Sequence, residues 1–276
     1  MDIFFPGTVA EMLALLATHP AGRVIAGGTD YWVQQRRLPA PAALLSVERL
    51  EELQQVARRE NGIFIGAGVT YQQLLELPIL EEAFSVLRQA ISAVGSPPIR
   101  HSGTLVGNVC TASPAGDTLP PLYVLGASVE IAGQQGLRSL PIADFITGPG
   151  RTSLSPGEFV TGVQVPCTGG KDGSAYFKVG RRKALAISIA SLAANWELQE
   201  DNTIKYIKLA WGSVGPTVVQ LPSVETFLEG KQLKDDVLRQ AGELVKKGVT
   251  PIDDIRASAA YRRQLAGNLL LRLSNF

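Results

Sequence analysis

The chain has 276 residues, of which 45 % are hydrophobic and 18 % charged. That describes a folded globular protein large enough for two modest domains and excludes a disordered one. The formal net charge of +1 leaves no basic excess for a nucleic-acid partner, and no apolar run reaches the roughly 18–20 residues that a membrane helix needs.

Thr8-Val9-Ala10-Glu11 fits a capping box and opens a helix through Leu16. Val24-Ile25-Ala26 reads as a short buried strand, followed by Gly27-Gly28-Thr29-Asp30, with Asp30 capping a helix to Arg37. Ala43–Val47 is the next strand. Ile63–Ala67 starts a second α/β unit, and Thr70-Tyr71-Gln72-Gln73 is a second capping box. Residues 79–94 read as one amphipathic helix broken by Gly95-Ser96-Pro97-Pro98. Residues 100–117 read as a polar, glycine-rich loop, followed by a helix from Thr118 to Leu125 and a strand over Ser128–Ala132. Residues 168–174 form the best candidate linker or long hairpin turn. Beyond it, Ile187–Leu198 and Thr203–Ser213 read as paired strands, with helices over 222–229, 235–247 and 256–272. Trp32, Trp196 and Trp211 are expected in the core.

The residues offer little chemistry of their own. Cys110 and Cys167 cannot supply the thiolates of an iron–sulfur cluster. His19 and His101 are too few for an imidazole-rich metal site. Met1–Pro6 lacks the basic start and cleavage site of a signal peptide. A cytoplasmic location is therefore expected, with both cysteines as plain thiols.

The 28 glycines exceed the usual share of about 7 %, and they concentrate in loops beside apolar runs. In Arg23–Tyr31 a strand runs into Gly27-Gly28 and then a helix start, so backbone N–H groups can face a phosphate. An ordinary tight turn capped by Asp30 fits the same residues, and the GxGxxG fingerprint is absent. Gly103-Thr104-Leu105-Val106-Gly107-Asn108, running on to Asp117, combines hydroxyls, an amide and a carboxylate. It suits either a polar ligand or a solvated loop. Lys178-Val179-Gly180-Arg181-Arg182-Lys183 could neutralise a pyrophosphate, although a basic run in isolation is more often solvated surface.

In this order and spacing, the three stretches resemble the FAD-binding subunits of molybdenum hydroxylases, the xanthine dehydrogenase and carbon monoxide dehydrogenase type. The resemblance spans the chain. Ala26–Asp30 is similar to the family's first phosphate loop, and Asn108–Asp117 with Ala112-Ser113-Pro114 is the most specific segment. Lys178 with Gly180–Ser188 is similar to a loop near the flavin, and Gly212–Thr217 to a turn in the C-terminal domain.

The resemblance implies an α+β fold: a vanillyl-alcohol-oxidase-type FAD domain over 1–168, made of subdomains 1–55 and 56–168. An antiparallel sheet with helices follows over 171–276. It implies that Arg23, Val24, Ile25, Ala26, Gly27, Gly28, Thr29, Asp30 and Tyr31 wrap a noncovalent FAD, with Ala26–Thr29 on the pyrophosphate. Thr104, Gly107 and Asn108 would face the same phosphates. Asp117 would contact the nucleotide, and Val160 and Lys178 would lie near the flavin, whose charge Lys178 would influence. It further implies partner chains: a small subunit with two [2Fe-2S] clusters, a large subunit with the molybdenum cofactor, and NAD or another acceptor. Where the family has two glycines this chain has Val106-Gly107, so Val106 must take an ordinary negative φ or the loop must sit differently. A stand-alone FAD oxidase or dehydrogenase of the same fold is the alternative. It would need a larger substrate domain than about 105 residues supply.

Overall fold

The computed structural model describes residues 2–35, 41–167, 173–182 and 184–276. Packing divides the chain into two units, neither continuous in sequence. The first comprises 1–77, 96–112 and 126–166, and the second 78–95, 113–125 and 167–276. Among the described residues no helix is long and apolar enough to cross a membrane.

In the first unit, β1 (Asp2–Phe4), β2 (Arg23–Ile25) and β3 (Ala43–Ser46) form a parallel sheet in the order β1-β3-β2. The central strand β3 is buried throughout. β2, expected to be buried, is an exposed edge: Arg23 and Val24 both face solvent. Three apolar residues in a row gave no means of telling centre from edge, and here pairing order decided it. The helix Val9–Thr18 is capped as expected, with Thr8 Oγ1 accepting from Glu11 N at 3.1 Å. Glu11 reaches one residue further back than a capping box requires, accepting from Gly7 N at 2.7 Å. The Thr70 box closes both ways around the helix Tyr71–Leu75.

A second sheet joins β4 (Val56–Arg59), β5 (Gly62–Gly66), β6 (Ser128–Gly133), β7 (Gly136–Pro141) and, after the small hairpin β8 (Ile146–Gly148) and β9 (Arg151–Thr152), β10 (Phe159–Pro166). Its order is β4-β5-β10-β6-β7, antiparallel throughout. The central strand β10 was not foreseen. Gly162 interrupts its apolar run, as a breaker would in isolation. In the sheet the glycine is required, because a Cβ there would overlap the Phe64 ring.

The stretch 100–117 is not a loop. It contains the helices Pro97–Ser102 and Leu105–Thr111. Proline is tolerated in a helix's first turn, so Pro97-Pro98 opens a helix rather than ending one. Thr104 caps the second helix, its Oγ1 accepting from Gly107 N at 2.9 Å. Ala112 ends it in the left-handed region at φ 48°.

In the second unit, β11 (Gly173–Val179), β12 (Ala190–Leu198) and β13 (Ile204–Gly212) form an antiparallel sheet. The helices Pro222–Leu228, Asp235–Gly248 and Ala259–Leu269 contribute to one apolar cluster with it. Trp196 and Trp211 are buried in that cluster, and Trp211 Nε1 donates to Ala266 O at 3.1 Å. Trp32, expected in a core, is half exposed in the first unit. The single helix expected over 79–94 is two, Pro78–Glu82 and Ser85–Ser92. Phe84 between them leaves helical geometry and is fully buried. Gln89 binds the edge of β11, accepting from Tyr176 N at 2.9 Å. The expected linker 168–174 and the end of the helix predicted to Arg37 fall largely outside the described residues.

Candidate functional site

The first glycine loop follows the edge strand β2 directly. Its glycines are fixed for two different reasons. A Cβ on Gly27 would overlap the Ser102 carbonyl, so the loop lies against the backbone where the helix Pro97–Ser102 ends. Gly28 sits at φ +66°, where an L side chain is strained, and a Cβ there would also meet Trp32 Nε1 at 2.9 Å. Thr29 closes the same junction: a Cβ on Gly103 would stand 3.2 Å from Thr29 Oγ1. The two stretches picked out separately in the sequence thus interlock.

Among the described residues, no backbone N–H from Ala26 to Tyr31 donates to a protein acceptor. The Tyr31 hydroxyl is buried with no hydrogen-bond partner. Buried polar groups in native proteins are nearly always paired, so an orphaned hydroxyl and unpaired N–H groups on one loop mark a place for an external partner. A cavity of about 350 Å³, at the small end of the range for ligand pockets, reaches this run at Ala26. Arg23, Val24, Ala26, Gly107 and Val160 line it. A cation, small residues that admit close backbone approach and apolar walls fit a phosphate-bearing cofactor.

Of the predicted positions, Ile25, Gly27, Gly28, Thr29, Asp30 and Tyr31 belong to the same loop but do not line the cavity. Thr104 is buried as a helix cap, and its hydroxyl already accepts from Gly107 N. Asn108 lies one turn into that helix. Val106 is an ordinary helical residue, buried at 3 % exposure and lining the cavity. Substituting it for glycine therefore leaves the loop without strain. Sequence reading missed most of the other lining residues, among them Cys110, and Pro156 and Gly157 from the turn before β10. The Pro-Gly pair was the available signal for that turn. Cys110 and Cys167 are free thiols, as expected, and both are exposed.

Asp117 and Lys178 belong to the second unit and meet each other there. Lys178 Nζ lies 2.6 Å from Asp117 Oδ2 and 3.0 Å from Ala93 O. Tyr176 donates its hydroxyl to Asp117 Oδ1 at 3.0 Å. Both charged side chains are nearly buried, at 12 % and 11 % exposure. The solvated reading of the basic run therefore fails at Lys178 and holds at Arg181 and Arg182, which are exposed. Burial pushes the Asp117 carboxyl above its ordinary range, against the opposing pull of Lys178 and the Tyr176 hydroxyl. Burial, reinforced by the Asp117 charge, pushes the Tyr176 phenol well up, so it stays a donor. Nothing in the sequence pattern pointed to Tyr176.

The chain is similar to known proteins over nearly its whole length. Residues 1–168 match the family model for the FAD-binding domain in molybdopterin dehydrogenase, and residues 175–275 match that for the CO dehydrogenase flavoprotein C-terminal domain. A xanthine dehydrogenase FAD-binding subunit of Escherichia coli is 31 % identical over 261 residues, covering 94 % of this chain and 89 % of that protein. The glyceraldehyde dehydrogenase medium chain of Sulfolobus acidocaldarius is 32 % identical, covering 96 % and 94 %. In solved structures, a chain of quinoline 2-oxidoreductase from Pseudomonas putida superposes with a TM-score of 0.94 at 26 % identity, covering 100 % of this chain and 95 % of that one. The two matched domains and these relatives make this chain a member of the FAD-binding subunit family of the molybdenum hydroxylases, oxidoreductases of the xanthine and carbon monoxide dehydrogenase group.

Proposed function

We propose that this chain binds one FAD noncovalently and works in the cytoplasm as the electron-transfer subunit of a molybdenum hydroxylase complex. It receives electrons from [2Fe-2S] clusters on a small partner chain and passes them to NAD or another acceptor. Substrate is hydroxylated at a molybdenum cofactor on a large partner chain. We take the FAD domain as 1–168, with subdomains 1–55 and 56–168, and the C-terminal domain as 171–276.

The observation that carries the reading is that, among the described residues, the N–H groups from Ala26 to Tyr31 and the buried Tyr31 hydroxyl all lack a protein partner. Ala26 to Thr29 hold the pyrophosphate through backbone N–H groups, and Arg23 supplies positive charge at the cavity. Gly107 lets backbone approach from the second segment, where Thr104 fixes the helix start and Asn108 offers an amide. Val24 and Val160 supply apolar walls that exclude water. In the second unit the same reading assigns Asp117 a contact to the nucleotide and Lys178 a place near the flavin. When bound, the flavin supplies the redox chemistry that protein side chains lack.

Purification of the native complex tests this. The chain should co-purify with larger and smaller subunits, molybdenum and iron, and acid denaturation should release one FAD per chain. A colourless chain without releasable flavin would refute the cofactor assignment. A flavin-loaded chain that purifies alone and oxidises a substrate would establish a stand-alone enzyme instead.

A further inference from the structure

Asp30 stands in the phosphate loop, yet a carboxylate beside a pyrophosphate is electrostatically wrong. Its contacts resolve the conflict. Asp30 Oδ2 accepts from Gln34 Nε2 at 2.5 Å and from Thr111 Oγ1 at 3.1 Å. Gln34 lies one turn along the loop's own helix, Tyr31–Gln35. Thr111 is the last residue of Leu105–Thr111, the helix whose first turn carries Gly107. The residue after it, Ala112, is held in the left-handed region, and its carbonyl accepts from Gly150 N at 3.0 Å, which anchors that end.

Two junctions therefore join the loop to the second segment. One lies at its tip, where Gly27 admits the Ser102 carbonyl and Thr29 stands beside Gly103. The other lies at its far end, through Asp30 and Thr111. Between them lie the backbone N–H groups of Ala26 to Tyr31, which pair with no protein acceptor among the described residues.

We propose that Asp30 is a positioning residue that acts through Thr111: it pins the loop before the cofactor arrives and turns its own charge away from the phosphates. This rests on the FAD reading above. Pinning a loop in its bound conformation raises affinity by removing the ordering cost that binding would otherwise incur. One hydrogen bond of this kind is worth about five-fold in affinity. Asp30→Asn keeps an acceptor for Thr111 and sheds the like charge, so it should hold or raise affinity. Thr111→Val should weaken it about five-fold, Asp30→Ala at least as much because the Gln34 contact goes too, and the pair together no more than Asp30→Ala alone, because Thr111→Val removes a contact that Asp30→Ala already removes. Thr111→Ser keeps the hydroxyl and should restore affinity.

The test is FAD titration of the full-length apoprotein by flavin fluorescence, with thermal unfolding of each apoprotein recorded alongside. Non-additive losses with rescue by Thr111→Ser support the proposal. Multiplicative losses, or a loss in Asp30→Asn equal to that in Asp30→Ala, would overturn it and show that Asp30 touches the cofactor directly. A wild-type chain that fails to take up FAD would overturn the function reading as well, which separates the two failures.

Discussion

Replacing Lys178 by Met keeps most of the side chain's length and removes its charge, so the substitution isolates the ion pair with Asp117. An isolated lysine near the flavin would favour its reduced state, and losing it would lower the reduction potential by a few tens of millivolts. The structure changes that expectation. Lys178 and Asp117 lie 2.6 Å apart and nearly buried, so their charges cancel locally. Removing one partner of a buried pair costs about 3–5 kcal/mol, because the other charge is left uncompensated. The Tyr176 hydroxyl still donates to Asp117, so a cost of about 3 kcal/mol is expected.

The pH dependence follows from the carboxyl. Burial already raises Asp117 above its ordinary range, and losing Lys178 raises it further. A carboxyl whose folded value is raised contributes stability below the unfolded value, near pH 4, and loses it as pH climbs through the folded value. The cost of Lys178→Met should thus be small at pH 5 and full at pH 8. Adding Asp117→Asn should recover most of it. The flavin potential should stay unmoved where Asp117 is protonated, since the pair's net charge is still zero, and fall only at higher pH. Urea denaturation at both pH values and spectroelectrochemical titration measure these quantities. An equal stability loss at pH 5 and pH 8 that Asp117→Asn does not repair would refute the ion-pair argument.

Gly27→Ala should destabilise the apoprotein by about 1–3 kcal/mol and abolish FAD uptake, since its Cβ meets the Ser102 backbone rather than open cofactor space; a fully stable, FAD-loaded variant would remove Ser102 from the account. Gly28→Ala should cost about 1 kcal/mol for the left-handed backbone and weaken FAD less, because the exposed Trp32 ring can yield; chemical denaturation with flavin titration ranks the two. Val106→Gly, which restores the family's glycine pair, should lower stability by about 2–4 kcal/mol through lost burial and helix propensity. It should not improve FAD affinity, and tighter binding would mean that Val106 strains the loop after all. Acid precipitation should leave all flavin in the supernatant; flavin retained on the denatured chain would indicate a covalent link.

The local signals were legible where the physics is local. Thr8 and Thr70 announced their helices because a hydroxyl that satisfies an N–H three residues on needs no tertiary partner. The paired strands β12 and β13 lie where their long apolar runs put them. The motif order alone located the family, and Gly27-Gly28 announced a close approach without saying to what.

What the approach meets is a long-range fact: the Ser102 carbonyl, 75 positions away in the chain, fills the space a Cβ would need. The edge position of β2, the central place of β10 beside Phe64 and the break at Phe84 were likewise decided by packing. In each case a short segment was compatible with two environments, and only neighbours distant in sequence selected one. The same holds for charge. Lys178 in its basic run looked solvated, and Asp117 sat in an apparent loop. Only the fold brings them together with Tyr176, in a place dry enough for the pair to matter, because Coulomb attraction is decided by distance and burial and neither is written in sequence spacing.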